Sequence, residues 1–328
     1  MADELAAELA DMSDLGGLDA SWFLYEPPPL VEEPLCICSA AAASASRKGR
    51  RKPSQASATA GPPPPILATE AHNAYVAPIS QLDDKKLARL RHIIESLKAT
   101  GKHECEFRPQ KLRFHVETPN WKSDIQWISS ADEHTFKTLF KSLWDSLGIA
   151  KLFSFLGDLE MFSGFFVVRQ TTRKSTWHTD FSDTGGCAWT LMTPLYDMTS
   201  LKDCHLVCSV PEPPHPLDTS EAATSPASKD RSAGNASNGD ALQLQTPSRR
   251  MPSGRIKQYR YAVGEAIVFG DNFEHATQTG SSPKPLAFLC FTFGDRKCTH
   301  EQWENALAYI KEQGPIYCTP SGVLVGVA

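Results

Sequence analysis

The sequence contains no run of about 18 apolar residues, so no helical membrane span is expected. Its first residues lack the positive charge of a secretory or organelle-targeting leader; Asp3, Glu4, Glu8, Asp11 and Asp14 make this end acidic instead. A strong net charge is also missing. The formal value is −5 over 328 residues, which gives no global case for nucleic-acid binding, although a basic groove can still exist locally. Cysteines are sparse and odd in number, nine in all, and the close pairs Cys36/Cys38 and Cys204/Cys208 each lack a second pair at zinc-finger spacing. Reduced thiols in a cytosolic or nuclear compartment are therefore expected. Absent too are a Walker loop, a Rossmann glycine pattern and a Gly-x-Ser-x-Gly elbow, which removes the commonest phosphate cradles and the α/β-hydrolase nucleophile.

Proline is plentiful, with 24 residues in clusters such as Pro27 to Pro29 and Pro62 to Pro65. With the Ala/Ser tract from Ala40 to Ala45, these predict a disordered region over residues 1–78, which buries too little apolar surface to offset chain entropy. Within it, residues 2–16 can form an acidic amphipathic helix through Leu5, Leu9 and Met12. Arg47, Lys48, Arg50, Arg51 and Lys52 form a basic cluster that reads either as a nuclear-import signal or as a solvated linker. A second disordered stretch, rich in Pro, Ser, Ala, Asn and Asp, is expected over 211–254 as an insertion between strands. A tail is expected over 316–328.

Between these segments, residues 79–315 predict one domain. Leu87, Leu90, Ile93, Ile94 and Leu97 mark a helix over 83–99, and Phe136, Leu139, Phe140, Leu143 and Leu147 mark another over 135–147. Strands are expected at 165–169, 188–195, 205–210, 259–263, 266–269 and 286–293, which together suggest a sandwich or barrel. A last helix starts at Thr299, where Thr299 and Gln302 have capping-box spacing, and stops at Gly314.

The chemistry concentrates in two segments. In Trp177-His178-Thr179-Asp180, the His-x-Asp spacing puts both side chains on one face of a strand. Two imidazoles and one carboxylate on one face of an octahedron suit ferrous iron and leave the opposite face open. The second imidazole is His275, which ends Gly264-Glu265-Ala266-Ile267-Val268-Phe269-Gly270-Asp271-Asn272-Phe273-Glu274-His275. Lys284 follows nine residues later, after the turn signal Thr279-Gly280-Ser281-Ser282-Pro283. A hairpin centred on Thr279 and Gly280 predicts that Lys284 lies opposite His275 on the same sheet face and enters the same pocket. A buried ammonium group needs an anionic partner, and a dicarboxylate supplies one. By contrast, Cys204 and His205 are adjacent and point to opposite faces of a strand, so no zinc site is expected there.

This order of motifs resembles the Fe(II)/2-oxoglutarate-dependent dioxygenase superfamily over roughly residues 161–295, closest in pattern to the prolyl-hydroxylase-like branch, which commonly has Lys where many members have Arg. The loop Asp271–His275 is also similar to the aspartyl/asparaginyl hydroxylase branch, which lacks the carboxylate ligand that Asp180 would supply here. The resemblance implies a mainly β domain with flanking helices, a double-stranded β-helix of jelly-roll or cupin-like type. It implies Fe(II) on His178, Asp180 and His275, with Lys284 holding the distal carboxylate of 2-oxoglutarate. Arg169, Arg173, Thr190 and Thr292 are further candidates to contact that cosubstrate. It implies an oxygenase that decarboxylates 2-oxoglutarate to succinate with dioxygen, with ascorbate as a further candidate cofactor. The primary substrate stays open among protein side chains, nucleic-acid bases and small metabolites. Two other readings stand beside this one: a non-enzymatic sensor or interaction domain with disordered arms, and a metal-binding cupin-like protein that does not use 2-oxoglutarate.

Overall fold

The computed structural model describes residues 67–71, 73–118, 125–211 and 254–326, with the backbone of Glu33–Pro34 and Ile37–Cys38. The acidic segment 2–16, the basic cluster 47–52 and nearly all of the 211–254 insertion lie outside the described residues. Among the described residues, no helix is long and apolar enough to cross a membrane.

Strands account for most of the domain. In chain order they are β1 (Glu33–Pro34), β2 (Ile37–Cys38), β3 (Leu67–Thr69) and β4 (Ala74–Pro78). After the helix Asp84–Glu95 come β5 (Lys98–Gly101), β6 (Glu104–Phe107), β7 (Leu112–Glu117) and β8 (Ile125–Ser130). The helical segment Glu133–Thr135, Phe136–Lys141, Ser142–Leu147 leads to β9 (Leu159–Thr172). Then follow β10 (Ala188–Pro194), β11 (Leu206–Val210), β12 (Arg255–Tyr259), β13 (Glu265–Phe269), β14 (His275–Thr277) and β15 (Gly280–Asp295). The helix His300–Gln313 and the pair β16 (Tyr317–Cys318) and β17 (Leu324–Val325) end the chain.

Pairing sorts them into two main sheets. The larger has the order β2-β3-β4-β13-β10-β15-β9-β8-β7-β6-β5, and the smaller β1-β12-β11-β14, extended by a bridge between His178 and β14. From β9 onward the chain alternates between them: β9 in the large sheet, His178 in the small one, β10 large, β11 and β12 small, β13 large, β14 small, β15 large. That winding is an eight-segment jelly roll, the double-stranded β-helix expected from the sequence.

Period-2 alternation explains why the central strands are apolar throughout. On β9, Phe165 and Val167 point between the sheets, while Phe166 packs beneath the helices. On β15, Leu286, Phe288 and Cys290 point inward and Ala287, Leu289 and Phe291 outward. Both faces are covered, so such a strand shows no polar alternation. The helices supply Leu87, Leu90, Ile93, Leu139, Phe140, Leu143 and Trp144 to the outer face. Their approach is close: a Cβ on Gly164 would stand 2.6 Å from Phe140 Cβ, so only glycine fits there. Both long helices are capped at their N-termini, the second by the box expected at Thr299. Asp83 accepts from Lys86 N at 2.8 Å, and Thr299 with Gln302 makes the reciprocal box.

Several expectations need correction. The sheets reach into residues 1–78: β3 and β4 extend the large sheet beside β13, and β1 and β2 pair with β12 and β3. The first helix ends at Glu95, and Lys98–Gly101 starts a β5–β6 hairpin instead. The strand placed at 259–263 lies earlier, at Arg255–Tyr259, where it pairs with β11. The six expected strands leave out β5 to β8, among others. Not every cysteine is a free thiol: the fold brings Cys187 and Cys298, 111 residues apart, into a disulfide that no sequence spacing signals. The other cysteines with described surroundings, 105, 204, 208, 290 and 318, are free and buried.

Candidate metal centre

His178 and His275 face each other across the small sheet. His178 N donates to His275 O at 3.0 Å, and His275 N donates to His178 O at 2.9 Å. This reciprocal pair makes them direct cross-strand neighbours, with ring centroids 4.3 Å apart. Asp180 lies two residues beyond His178 and turns to the same side. Its Oδ1 is 3.5 Å from His178 Nε2 and 3.7 Å from His275 Nε2. Among the described residues, these three form the one group of His, Cys, Asp and Glu side chains close enough to share an ion.

Hydrogen bonding fixes the protonation pattern. His178 Nδ1 lies 3.0 Å from Thr176 O, and His275 Nδ1 lies 3.0 Å from Phe273 O. A carbonyl only accepts, so each Nδ1 carries a proton, and Nε2 is the nitrogen of each ring left to bind an ion. Asp180 Oδ1 is buried and has no hydrogen-bond partner. Two imidazole Nε2 atoms and an orphaned carboxylate oxygen therefore converge, a donor set that a cation would satisfy. Donors of this kind at about 2.0–2.2 Å from one ion suit a divalent transition metal.

Surrounding groups hold the carboxylate. Thr190 Oγ1 donates to Asp180 Oδ2 at 2.9 Å. Tyr309, from the helix His300–Gln313, donates its hydroxyl to Asp180 and also bonds Gln313. Burial, reinforced by the Asp180 charge, pushes the Tyr309 pKa well above its ordinary value, so the phenol stays a donor. The Asp271 carboxylate accepts from Thr184 N at 3.3 Å, from Gly186 N at 2.8 Å and from Thr184 Oγ1. It thereby clamps the loop after Asp180 to the loop before His275.

A cavity of about 220 Å³ runs from these ligands between the sheets. His178, Asp180, His275, Thr190 and Tyr309 line its metal end, and Arg169 lines it farther along. Arg169 is 4% exposed and stacks 4.6 Å above the Phe288 ring. It donates to Thr277 Oγ1, to Cys204 O at 2.7 Å and to Tyr261, all neutral, while its Nε has no partner. Among the described residues, no carboxylate pairs with it. Burial lowers its pKa from the ordinary arginine value. A guanidinium in this setting costs several kcal/mol unless an anion joins it.

Two predicted contacts lie elsewhere. Lys284 is exposed and lines a separate cleft on the outer face of the large sheet, beside Val168 and Ala287. The hairpin reading fails because β14 pairs with β11 in the small sheet, whereas β15 pairs with β9 and β10 in the large one. The chain changes sheets between Thr277 and Gly280, so His275 and Lys284 are not cross-strand partners. Thr292 is buried against Gln313, bonded at 3.0 Å, and does not line the cavity. It reaches the site only through the chain Thr292, Gln313, Tyr309, Asp180. Arg173 lies at the cavity edge. Tyr309, Thr277 and Tyr261 were not singled out from the sequence. Both ring nitrogens of His205 are engaged: Nε2 bonds Leu201 O at 3.1 Å and Nδ1 accepts from Tyr261 N at 3.2 Å.

No protein-family model matches the chain, and no curated protein matches its sequence. Some solved structures are similar to it in part. SnoN, a non-heme alpha ketoglutarate dependent epimerase from nogalamycin biosynthesis, is 14% identical over 68% of this chain and 79% of that one, with a TM-score of 0.43. HygX from Streptomyces hygroscopicus, solved with nickel, 2-oxoglutarate and hygromycin B, is 14% identical over 68% and 83%, with a TM-score of 0.39. A Pseudomonas putida prolyl-4-hydroxylase is 15% identical over 68% and 93%, with a TM-score of 0.32. At such identities and TM-scores the likeness carries no argument about chemistry, which rests on the side chains described above.

Proposed function

We propose that this chain is an Fe(II)- and 2-oxoglutarate-dependent oxygenase, with His178, Asp180 and His275 as metal ligands and Arg169 as the anchor of the distal carboxylate. One observation carries the reading: a buried arginine with no carboxylate partner shares a cavity with three converging metal donors. Thr277, which accepts from Arg169, is two residues from His275 on the same face of β14, roughly 6.6 Å along the strand. A five-carbon dicarboxylate has the reach to bridge those two ends. A cupin-like metal protein without such a cosubstrate has no use for Arg169.

When bound, the metal and cosubstrate supply oxidative decarboxylation to succinate and carbon dioxide and the oxidation of a primary substrate. The chain's own residues orient and exclude. Nδ1 bonds to Thr176 and Phe273 hold both imidazoles with Nε2 forward. Thr190 and Tyr309 hold Asp180, and Phe165, Val167, Met192, Leu206 and Phe269 keep water from the inner cavity.

The test is anaerobic addition of Fe(II) and 2-oxoglutarate to the full-length protein. A visible charge-transfer band is expected, lost in His178→Ala and in Asp180→Ala. Succinate formation under air should vanish in the same variants while thermal unfolding stays cooperative. An absent band in the wild type, or full turnover in both variants, would sink the assignment.

A further inference from the structure

We infer that the Cys187–Cys298 disulfide is a redox-active pair that sets how tightly the metal centre holds its ion. This rests on the metal site of the oxygenase reading above. The pair joins the two elements that flank Asp180. Cys187 stands three residues before Thr190 of β10, which donates to Asp180 Oδ2 at 2.9 Å. Cys298 stands just before the helix His300–Gln313, whose Tyr309 lines the cavity beside Asp180. Their Cα atoms are 5.8 Å apart, an ordinary span for a disulfide.

The loop from Asp180 to Cys187 takes its shape from such ties. Asp183, Gly185 and Gly186 have φ of 58°, 62° and 76°, so this is a run of turns rather than a strand. Asp271 clamps one side of it through Thr184 and Gly186. The helix clamps the other: Asn305 Nδ2 donates to Asp183 O at 2.8 Å, and a Cβ on Gly185 would stand 2.3 Å from Gln302 Nε2. The disulfide closes that second clamp covalently. The helix itself is held without it, by the capping box at Thr299 and by Ala306 and Ile310 packed with Phe162 and Phe181. Reduction therefore loosens the metal-ligand loop against the helix and leaves the core in place.

The pair is also built for exchange. Cys187 is buried, while Cys298 is half-buried among the described residues, so Cys298 Sγ is the sulfur open to attack. A low-molecular-weight thiol such as glutathione supplies the two electrons. Its thiolate attacks Cys298 Sγ, the S–S bond breaks, and Cys187 leaves as a thiolate that takes up a proton. A second glutathione thiolate attacks the glutathione sulfur of the mixed disulfide; oxidised glutathione departs, and the Cys298 thiolate is protonated.

The experiment uses the full-length protein, equilibrated anaerobically in glutathione buffers of set reduced-to-oxidised ratio. Peptide mass spectrometry after alkylation reads the Cys187–Cys298 bond. Electron paramagnetic resonance of free Mn(II) reads metal affinity in desalted samples of each redox state. The oxidised protein is expected to bind Mn(II) about tenfold more tightly than the reduced one, the lower end of what loss of an outer-shell partner costs. By linkage, saturating Mn(II) should shift the glutathione equilibrium of the pair about tenfold toward the disulfide. The double variant Cys187→Ser, Cys298→Ser should match the reduced protein and ignore the glutathione ratio, which excludes the remaining cysteines. Equal Mn(II) affinity in the two states, or no disulfide in the most oxidising buffer, would overturn the switch alone. Absence of Mn(II) binding in both states would overturn the metal site of the oxygenase reading as well, so Mn(II) binding by the oxidised protein tells the two failures apart.

Discussion

Replacing Arg169 with methionine separates folding from cosubstrate binding, because the two respond in opposite directions. On the folding side, methionine keeps most of the volume and removes a buried charge that has no carboxylate partner. Apolar replacement of buried ionic groups is often neutral or stabilising by about 1–4 kcal/mol. Against this, Cys204 O loses its donor, which costs about 1–3 kcal/mol, and the stacking on Phe288 is lost, about 0.5–2 kcal/mol. These terms nearly cancel, which leaves a net change within about 2 kcal/mol and a Tm shift of a few degrees. On the binding side, truncating one partner of a desolvated charge pair costs about 2–5 kcal/mol. That is a loss of about 30-fold to several thousand-fold in 2-oxoglutarate affinity. Calorimetric titration of 2-oxoglutarate into the anaerobic Fe(II) protein, with a melting curve of each variant, reads both quantities. Lys284→Ala, on the opposite face of the large sheet, is the internal control and should change affinity by less than about twofold. An Arg169→Met protein that binds 2-oxoglutarate within about threefold of wild type would refute the anchor. A Lys284→Ala protein that loses binding would restore the hairpin reading.

Two further outcomes follow from the groups around the cavity. Tyr309→Phe removes the phenol that donates to Asp180 and should weaken metal binding about 10–100-fold, read by competition with a metal-sensitive dye; unchanged affinity would reduce Tyr309 to packing. Burial lowers the His205 pKa below the ordinary histidine value of about 6.5, and its Nδ1 accepts from Tyr261 N, so the fold favours the neutral ring. The unfolded chain then binds more protons below about pH 6.5, and stability should fall as pH drops through that value toward the folded pKa. His205→Gln should flatten this part of the denaturation profile; an identical slope in both proteins would assign it to other groups.

The convergence of His178, Asp180 and His275 was legible because its geometry is largely local. A strand turns residues two apart to one side, and His178 and Asp180 need only that. His275 was legible through the Gly264-Glu265 turn and the apolar strand before it. The sheet change after Thr277 was not. β14 has only three residues, and the segment through Gly280 reads like any hairpin turn. What sends it to the small sheet is pairing with β11, some 70 residues earlier in the chain. Arg169 did carry a signal: Phe165 and Val167 face inward, and the same alternation points Arg169 inward from an apolar strand. Likewise Leu112, Phe114 and Val116 alternate in the overlooked β7. Tyr309 had no such mark, because its role depends on where the last helix docks.

The two ends of the cavity belong to different sheets, and that division explains why the core matters to the site. His178 and His275 are fixed to the small sheet by backbone pairing, while Asp180 is held by Thr190 of the large sheet. Arg169 is fixed to the large sheet by its pairing with Leu286 and Ile125. The spacing between the two is set by the residues packed between the sheets, among them Phe165, Leu206, Tyr261, Phe269 and Phe288. Such interiors are close-packed and transmit changes in volume. Thr277 adds a direct tie, since it accepts from Arg169 while standing on the strand of His275. One hydrogen bond thus joins the sheet of the anchor to the strand of a ligand. Under the proposed function, the length of cosubstrate that fits is then set by the distance between the two sheets.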